Sequence, residues 1–160
     1  MTNLDKTDKK ILEILQQNGK ITNSELAKQI NISASPTLER VKKLEKRGFI
    51  RQYVALVDPH KVGVTCFTYV EVTLKRHGKD PVQRFTSSII KLEEVMECHH
   101  ITGEADFLLK VATKDIPKYE DFIIHKLTAL EDVQHLKTLV VLSTLKQETK
   151  ISVTNGDEAR

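Results

Sequence analysis

The residues best suited to act on a partner sit in one stretch, TNSELAKQINISASPTLERVKKLEKR at positions 22–47. Its second half carries Arg40, Lys42, Lys43 and Arg47. Guanidinium and ammonium groups on one helix bind phosphates and base edges, and a helix of about 10–12 Å diameter fits the major groove of duplex DNA. The first residues of such a helix meet base edges while its basic residues meet phosphates. The DNA-facing set expected here is Ser33, Ala34, Ser35, Pro36, Thr37, Glu39, Arg40, Lys42, Lys43 and Arg47, with Arg40 placed to read a base pair. A basic helix face alone is usually just solvated, so the elements around it decide the matter.

Those elements are legible. Thr22 and Glu25 have capping-box spacing, and Ile21 and Leu26 have the spacing of a hydrophobic staple. Leu26, Ala27 and Ile30 then share one face. Asn31 stands where the chain must turn sharply, a place Asn tolerates because it accepts positive φ. Ser33 suits the next N-cap, and Pro36 falls in the first turn of that helix, where a missing N–H costs little. Leu38, Val41 and Leu44 are expected to face inward. An earlier helix starts at N-cap Asp5 with Asp8 at N3, buries Ile11, Leu12 and Leu15, and ends at Asn18-Gly19. Three helices thus fill residues 5–47, Gly48 suits the position after the last helix, and residues 49–57 (FIRQYVALV) read as a short wing beside the helices or a strand leading out. This is a winged helix-turn-helix over residues 1–52.

Asp58-Pro59 breaks the chain, leaving residues 53–65 as strand and linker, and the pattern then changes period. Residues 66–75 alternate as a strand, and His77-Gly78 turns. A helix starting at Asp80-Pro81 buries Val82, Phe85 and Ile89. Residues 95–102 and 106–113 read as strands around the turn Gly103-Glu104. A second helix holds Pro117 early and buries Tyr119, Phe122, Ile123, Leu127 and Leu130, and residues 133–143 form a fourth strand. The order βαββαβ predicts a ferredoxin-like domain over residues 66–153, giving an α+β chain overall. Its open sheet face, with Phe67, Tyr69, Glu71, Leu139 and Val141, needs a cover, and a second subunit is the simplest one. Residues 154–160 read as a frayed tail.

Other chemistry is poorly supported. Cys98-His99-His100 could suggest a metal site, but on a strand His99 points away from the other two. No CxxC or HxxxH pattern joins it, so no metal and no cofactor are expected. Glu93, Glu94 and Glu97 read as a solvated acidic edge. There is no Gly-rich phosphate loop, GxSxG or HExxH. Two cysteines, Cys66 and Cys98, give no disulfide framework and are expected as buried free thiols. No apolar run approaches the ~18 residues of a membrane span, and the first residues lack an apolar leader core, so the expectation is a cytoplasmic protein that meets no membrane. Residues 1–52 hold 8 Lys and 3 Arg against 2 Asp and 4 Glu, a net +5, while the remainder is −2. A basic first third on a near-neutral remainder fits a nucleic-acid module joined to something else.

A winged helix-turn-helix followed by βαββαβ resembles the Lrp/AsnC family of feast/famine transcriptional regulators. LDKTDKKILEILQQNGKIT, ELAKQINISASPTLERVKKLEKRGFI, ECHHITGEADFLLKV and VQHLKTLVVL carry the resemblance. ISASPTLERVKKLEKRGFI and KLEEVMECH look most like the leucine-responsive branch. The resemblance implies a homodimer built by facing sheets, further assembly to octamers, and a free amino acid bound where dimers meet. It places effector binding at His100, Thr102, Gly103, Glu104, Ala105, Asp106, Thr138 and Val140. The turn has suitable chemistry: a zwitterion needs N–H donors for its carboxylate and an acid or carbonyls for its ammonium. The ordinary alternative is a hairpin whose Gly and acids only make the turn. Ala105 and the apolar strand at Leu139–Val141 favour an aliphatic side chain, leucine or methionine first.

Three classes of function are thus in view. The first is a sequence-specific transcriptional regulator that binds double-stranded DNA and responds to a free amino acid. The second is an architectural, nucleoid-associated DNA-binding protein without a small-molecule effector. The third is an enzyme of amino-acid metabolism with a regulatory domain, and the absence of a catalytic constellation argues against it.

Overall fold

The computed structural model describes residues 4–76 and 78–153. The turn expected at His77-Gly78 therefore falls partly outside the described residues, and the tail at 154–160 falls wholly outside them.

The chain forms two compact bodies. Among the described residues, the first contains 4–56 together with 146–153, and the second spans Val57–Leu145.

In the first body, Asp5 caps helix α1 (Lys6–Gln17) by accepting the Asp8 N–H at 2.8 Å. Thr22 and Glu25 form a complete capping box at the start of α2 (Asn23–Ile30). Asn31 takes the left-handed conformation at φ 58°, and α3 (Ala34–Lys46) follows. Ile11, Leu12, Leu26, Ile30 and Leu44 form the core. Gly48 at φ 75° ends α3, and the amide of Phe49 returns to the Leu44 carbonyl at 2.9 Å.

Residues 49–57 differ from expectation. No strand occurs there, because a strand needs a ladder partner and none lies beside this segment among the described residues. Tyr53, Val54, Leu56 and Val57 are instead exposed. Residues 146–153 differ too. They were expected to end the second domain, yet Ile151 pairs with Gln16 of α1 through two hydrogen bonds, at 2.8 and 3.1 Å, and Val153 packs on the helical core.

The second body holds β1 (Cys66–Leu74), α4 (Lys79–Ile89), β2 (Val95–His100), β3 (Phe107–Thr113), α5 (Ile116–Phe122) and β4 (Val133–Val140). The antiparallel sheet runs in the order β2-β3-β1-β4, the ferredoxin-like arrangement. Alternate residues of β1 are buried, from Cys66 to Leu74, which puts one sheet face against the helices. Phe85, Ile89, Tyr119, Phe122 and Leu127 pack there with Val70, Val72, Phe107, Leu109 and Val111. A π-helical turn over Ile123–Leu127 extends α5 and brings Leu127 fully into the core.

Candidate nucleic-acid interface and effector turn

Helix α3 is rotated relative to the stripe read from the sequence. Thr37 is fully buried, and its hydroxyl donates to the Ser33 carbonyl at 2.9 Å. Leu38, expected inside, is 41% exposed. The inward line is Thr37, half-buried Val41 and Leu44, at i, i+4 and i+7, the spacing a 3.6-residue period prefers. A threonine can hold the first of those places because its own turn satisfies its hydroxyl. Thr37 is therefore removed from the DNA-facing set.

Arg40 is also turned inward. Its guanidinium donates to Asp5 at 2.6 Å and to Asp8 at 2.7 Å, both on or capping α1. These two acids lie one helical turn apart and receive it together. Arg40 is held even more firmly protonated than a free guanidinium by Asp5 and Asp8. The Asp8 N–H, then Arg40, hold the Asp5 carboxyl below the usual carboxylate range. The expectation that Arg40 reads a base pair meets a tie between helices: both carboxylates share its Nη1, while the side chain stays 35% exposed.

The remaining candidates divide by position. Ser33 occupies the N-cap of α3 without a side-chain capping bond, and Ala34, Ser35 and Pro36 form the exposed first turn. Glu39, Lys42 and Lys43 are exposed, and Lys42 stands 3.7 Å from Glu39. Arg47 lies over the Phe49 ring at 4.9 Å. Lys46 is exposed one turn after Lys42, and sequence reasoning missed it. A 3.6-residue wheel places Ser35, Glu39, Lys42 and Lys46 opposite the buried line, so the correct period would have found it. The Asn23 side chain donates to the Ala34 carbonyl at 2.8 Å and fixes the start of α3 against α2.

The candidate effector turn at residues 101–106 is pinned from below. The Asp106 carboxylate accepts the Leu74 N–H at 2.7 Å, its N–H donates to the Val72 carbonyl, and its carbonyl accepts the Ile101 N–H. That carboxylate thus ties the turn to β1. Thr102, Gly103 and Glu104 are exposed above it, and Gly103 takes φ 126°, a conformation other residues rarely adopt. His100 stacks on Phe107 with ring centroids 4.9 Å apart.

Thr138 and Val140 are not brought to this turn. They pair with Val70 and Thr68 of β1, whereas the turn is anchored at Val72 and Leu74. Along β1 that puts Val140 roughly 13 Å and Thr138 roughly 7 Å from the Val72 anchor, on the far side of β1 from the turn. The Thr138 hydroxyl is also paired with that of Tyr119, at 2.6 Å.

Cys98 and His100 share the helix side of β2 while His99 lies on the open face, bonded to Glu97 at 3.1 Å. Cys66 is buried, but Cys98 is exposed because it sits on an edge strand; partial burial still pushes its thiol upward. The open face carries Phe67, Tyr69, Leu108 and Leu139 between the ion pairs Glu97–Lys110 and Glu71–Lys137, at 2.8 and 3.1 Å. Among the described residues, no helix is long and apolar enough to cross a membrane.

Comparison with known proteins finds the same two parts, with the second match running past Leu145 into the segment that packs with the first body. A model of winged helix-turn-helix DNA-binding domains matches residues 4–51, and a model of the Lrp/AsnC ligand binding domain matches residues 68–151. The leucine-responsive regulatory protein of Escherichia coli K12 is 39% identical over 150 residues, covering 94% of this chain and 92% of that protein. A Neisseria meningitidis transcriptional regulator, solved as its L-Met complex, superposes with a TM-score of 0.89 at 38% identity, covering 93% of this chain and 96% of that one. E. coli AsnC does so with a TM-score of 0.86 at 28% identity, covering 93% and 99%. The chain belongs to the Lrp/AsnC family of transcriptional regulators.

Proposed function

We propose that this regulator grips duplex DNA with the outward face of α3 and changes its grip when a free amino acid binds at residues 100–106. The observation that carries the reading is the separation of roles on α3. Arg40 and Thr37 hold the helix in place, while Lys42, Lys43 and Lys46 stay outward, able to neutralise phosphates. Leucine and methionine are the first candidates for the effector, since the small Ala105 in the turn suits an aliphatic side chain. The likeness to a methionine-bound regulator supports that choice.

The working unit is a homodimer, and dimers assemble further, to octamers by family resemblance. Phe67, Tyr69, Leu108 and Leu139 make an open, largely apolar face that a second copy covers, with Lys110 and Glu71 of the central strands neutralised by Glu97 and Lys137. Thr138 and Val140 join the effector site only if another copy supplies them, because within one chain they lie along β4 away from the turn. A cytoplasmic protein beside its DNA fits this reading.

A gel-shift titration with and without each of the twenty amino acids tests it. Leucine or methionine at millimolar concentration should move the DNA midpoint. The alternative is an architectural DNA-binding protein without a small-molecule effector. That reading requires a midpoint indifferent to every amino acid.

A further inference from the structure

The rotation of α3 withdraws two polar side chains from the DNA side and puts a leucine there. Thr37 is buried with its hydroxyl satisfied, and Arg40 is tied to Asp5 and Asp8. Leu38 is 41% exposed, three residues after Ser35 and four before Lys42. A single exposed leucine is ordinary on a protein surface. This one is informative because of where it stands. It lies in the first two turns of the second helix of a helix-turn-helix, the part that meets base edges. Lysines 42, 43 and 46 follow it along the helix and suit the phosphates on either side. The helical core does not need it, since Leu44 and Val41 already fill the inward line.

The major groove presents donors and acceptors at every base pair, but only thymine presents an apolar group there, its 5-methyl. An apolar side chain entering the groove gains nothing from a polar base edge and leaves its donors and acceptors without water. We infer that Leu38 is a specificity-determining residue of the DNA interface and reads a thymine through that methyl group. The inference rests on the DNA-binding reading above. Ser35, about 60° from Leu38 around α3, supplies the polar part of the readout beside it.

Uracil is thymine without the methyl, so the test is direct. The full chain selects its preferred duplex from a random library. Each thymine in the half-site is then replaced in turn by uracil. At one thymine per half-site, the wild type should lose roughly fourfold in affinity for each methyl removed, about the value of one buried methyl group. Leu38→Ala should bind the thymine and uracil duplexes alike, and Leu38→Met, which keeps an apolar tip, should retain the preference. All three proteins should bind a random-sequence duplex equally, because phosphate contacts dominate there. The inference is overturned if uracil is tolerated at every position by the wild type, or if Leu38→Ala loses the same factor as the wild type. Failure of the wild type to select any duplex would overturn the DNA-binding reading itself.

Discussion

Asp8 of α1 and Arg40 of α3 meet at 2.7 Å across 32 residues of sequence, and the Asp8 side chain keeps only 11% of its exposure. This contact joins the first helix of the DNA-binding body to the helix that faces DNA. It makes Arg40 a positioning residue. Removing the guanidinium leaves a nearly buried carboxylate without its cation, which should cost about 1–2 kcal/mol, less than for a fully buried pair because Arg40 itself still meets water. Urea unfolding of Arg40→Ala, Asp8→Asn and the double variant should give a favourable coupling of at least about 0.5 kcal/mol. Additive single effects would mean that the two residues do not support each other.

Asp5 adds a pH signature. Its carboxyl titrates below the usual range because the Asp8 N–H and then Arg40 favour the charged form. A depressed folded value contributes stability above the ordinary carboxylate pKa, and that contribution is lost as pH falls through the folded value. Asp5→Asn keeps a capping oxygen but loses the charge. Thermal unfolding should therefore find the variant less stable at pH 7, with the gap to wild type closing below about pH 3.9. A gap that stays constant down to pH 2 would contradict the assignment.

Lys43 is exposed beside Arg40, and no carboxylate engages it within ion-pair distance among the described residues. A phosphate contact from Lys43 should weaken specific and non-specific duplexes alike when it becomes Ala, and should lower the salt slope by roughly one. Arg40→Ala should leave that slope unchanged. Equal slopes for wild type and Lys43→Ala would remove Lys43 from the interface.

Much of this was legible in the sequence, for reasons particular residues illustrate. Asp5, the Thr22–Glu25 box and Asn31 depend on neighbours within four residues, and all three act as their types dictate. The strand alternation from Cys66 to Leu74 was equally plain. The errors came from distance. Leu38 fits an apolar stripe as well as Thr37 does until the Ser33 carbonyl satisfies the Thr37 hydroxyl. Arg40 looked free because Asp5 and Asp8 lie more than thirty positions away. Residues 49–57 have strand composition, but composition supplies no ladder partner. Ile151 gave no sign that it would meet Gln16, since two backbone hydrogen bonds to one side chain leave no sequence pattern. At the turn, a carboxylate at Asp106 suits either pairing with an ammonium or pinning the loop by accepting backbone N–H bonds, and the Leu74 N–H shows the second.

That anchor predicts an indirect effect. Asp106→Ala leaves the buried Leu74 N–H without its acceptor and should destabilise the second body by about 1–3 kcal/mol. With the turn loosened, leucine or methionine affinity should fall by about one to two decades, the equivalent of about 1.4–2.8 kcal/mol. DNA affinity without effector should be nearly unchanged, since Asp106 lies in the other body. Calorimetry and gel shift on the same variant check both parts. Wild-type amino-acid affinity in Asp106→Ala would rule the turn out.

The central claim is that one chain couples DNA to an amino acid, and coupling between two sites is reciprocal. The most direct measurement is a calorimetric titration of leucine and of methionine into the full-length protein, alone and saturated with its selected duplex. The account predicts that DNA shifts the dissociation constant of the effector by the same factor by which the effector shifts that of DNA. Amino-acid binding that DNA leaves unaltered, or no binding by any amino acid at millimolar concentration, would contradict it.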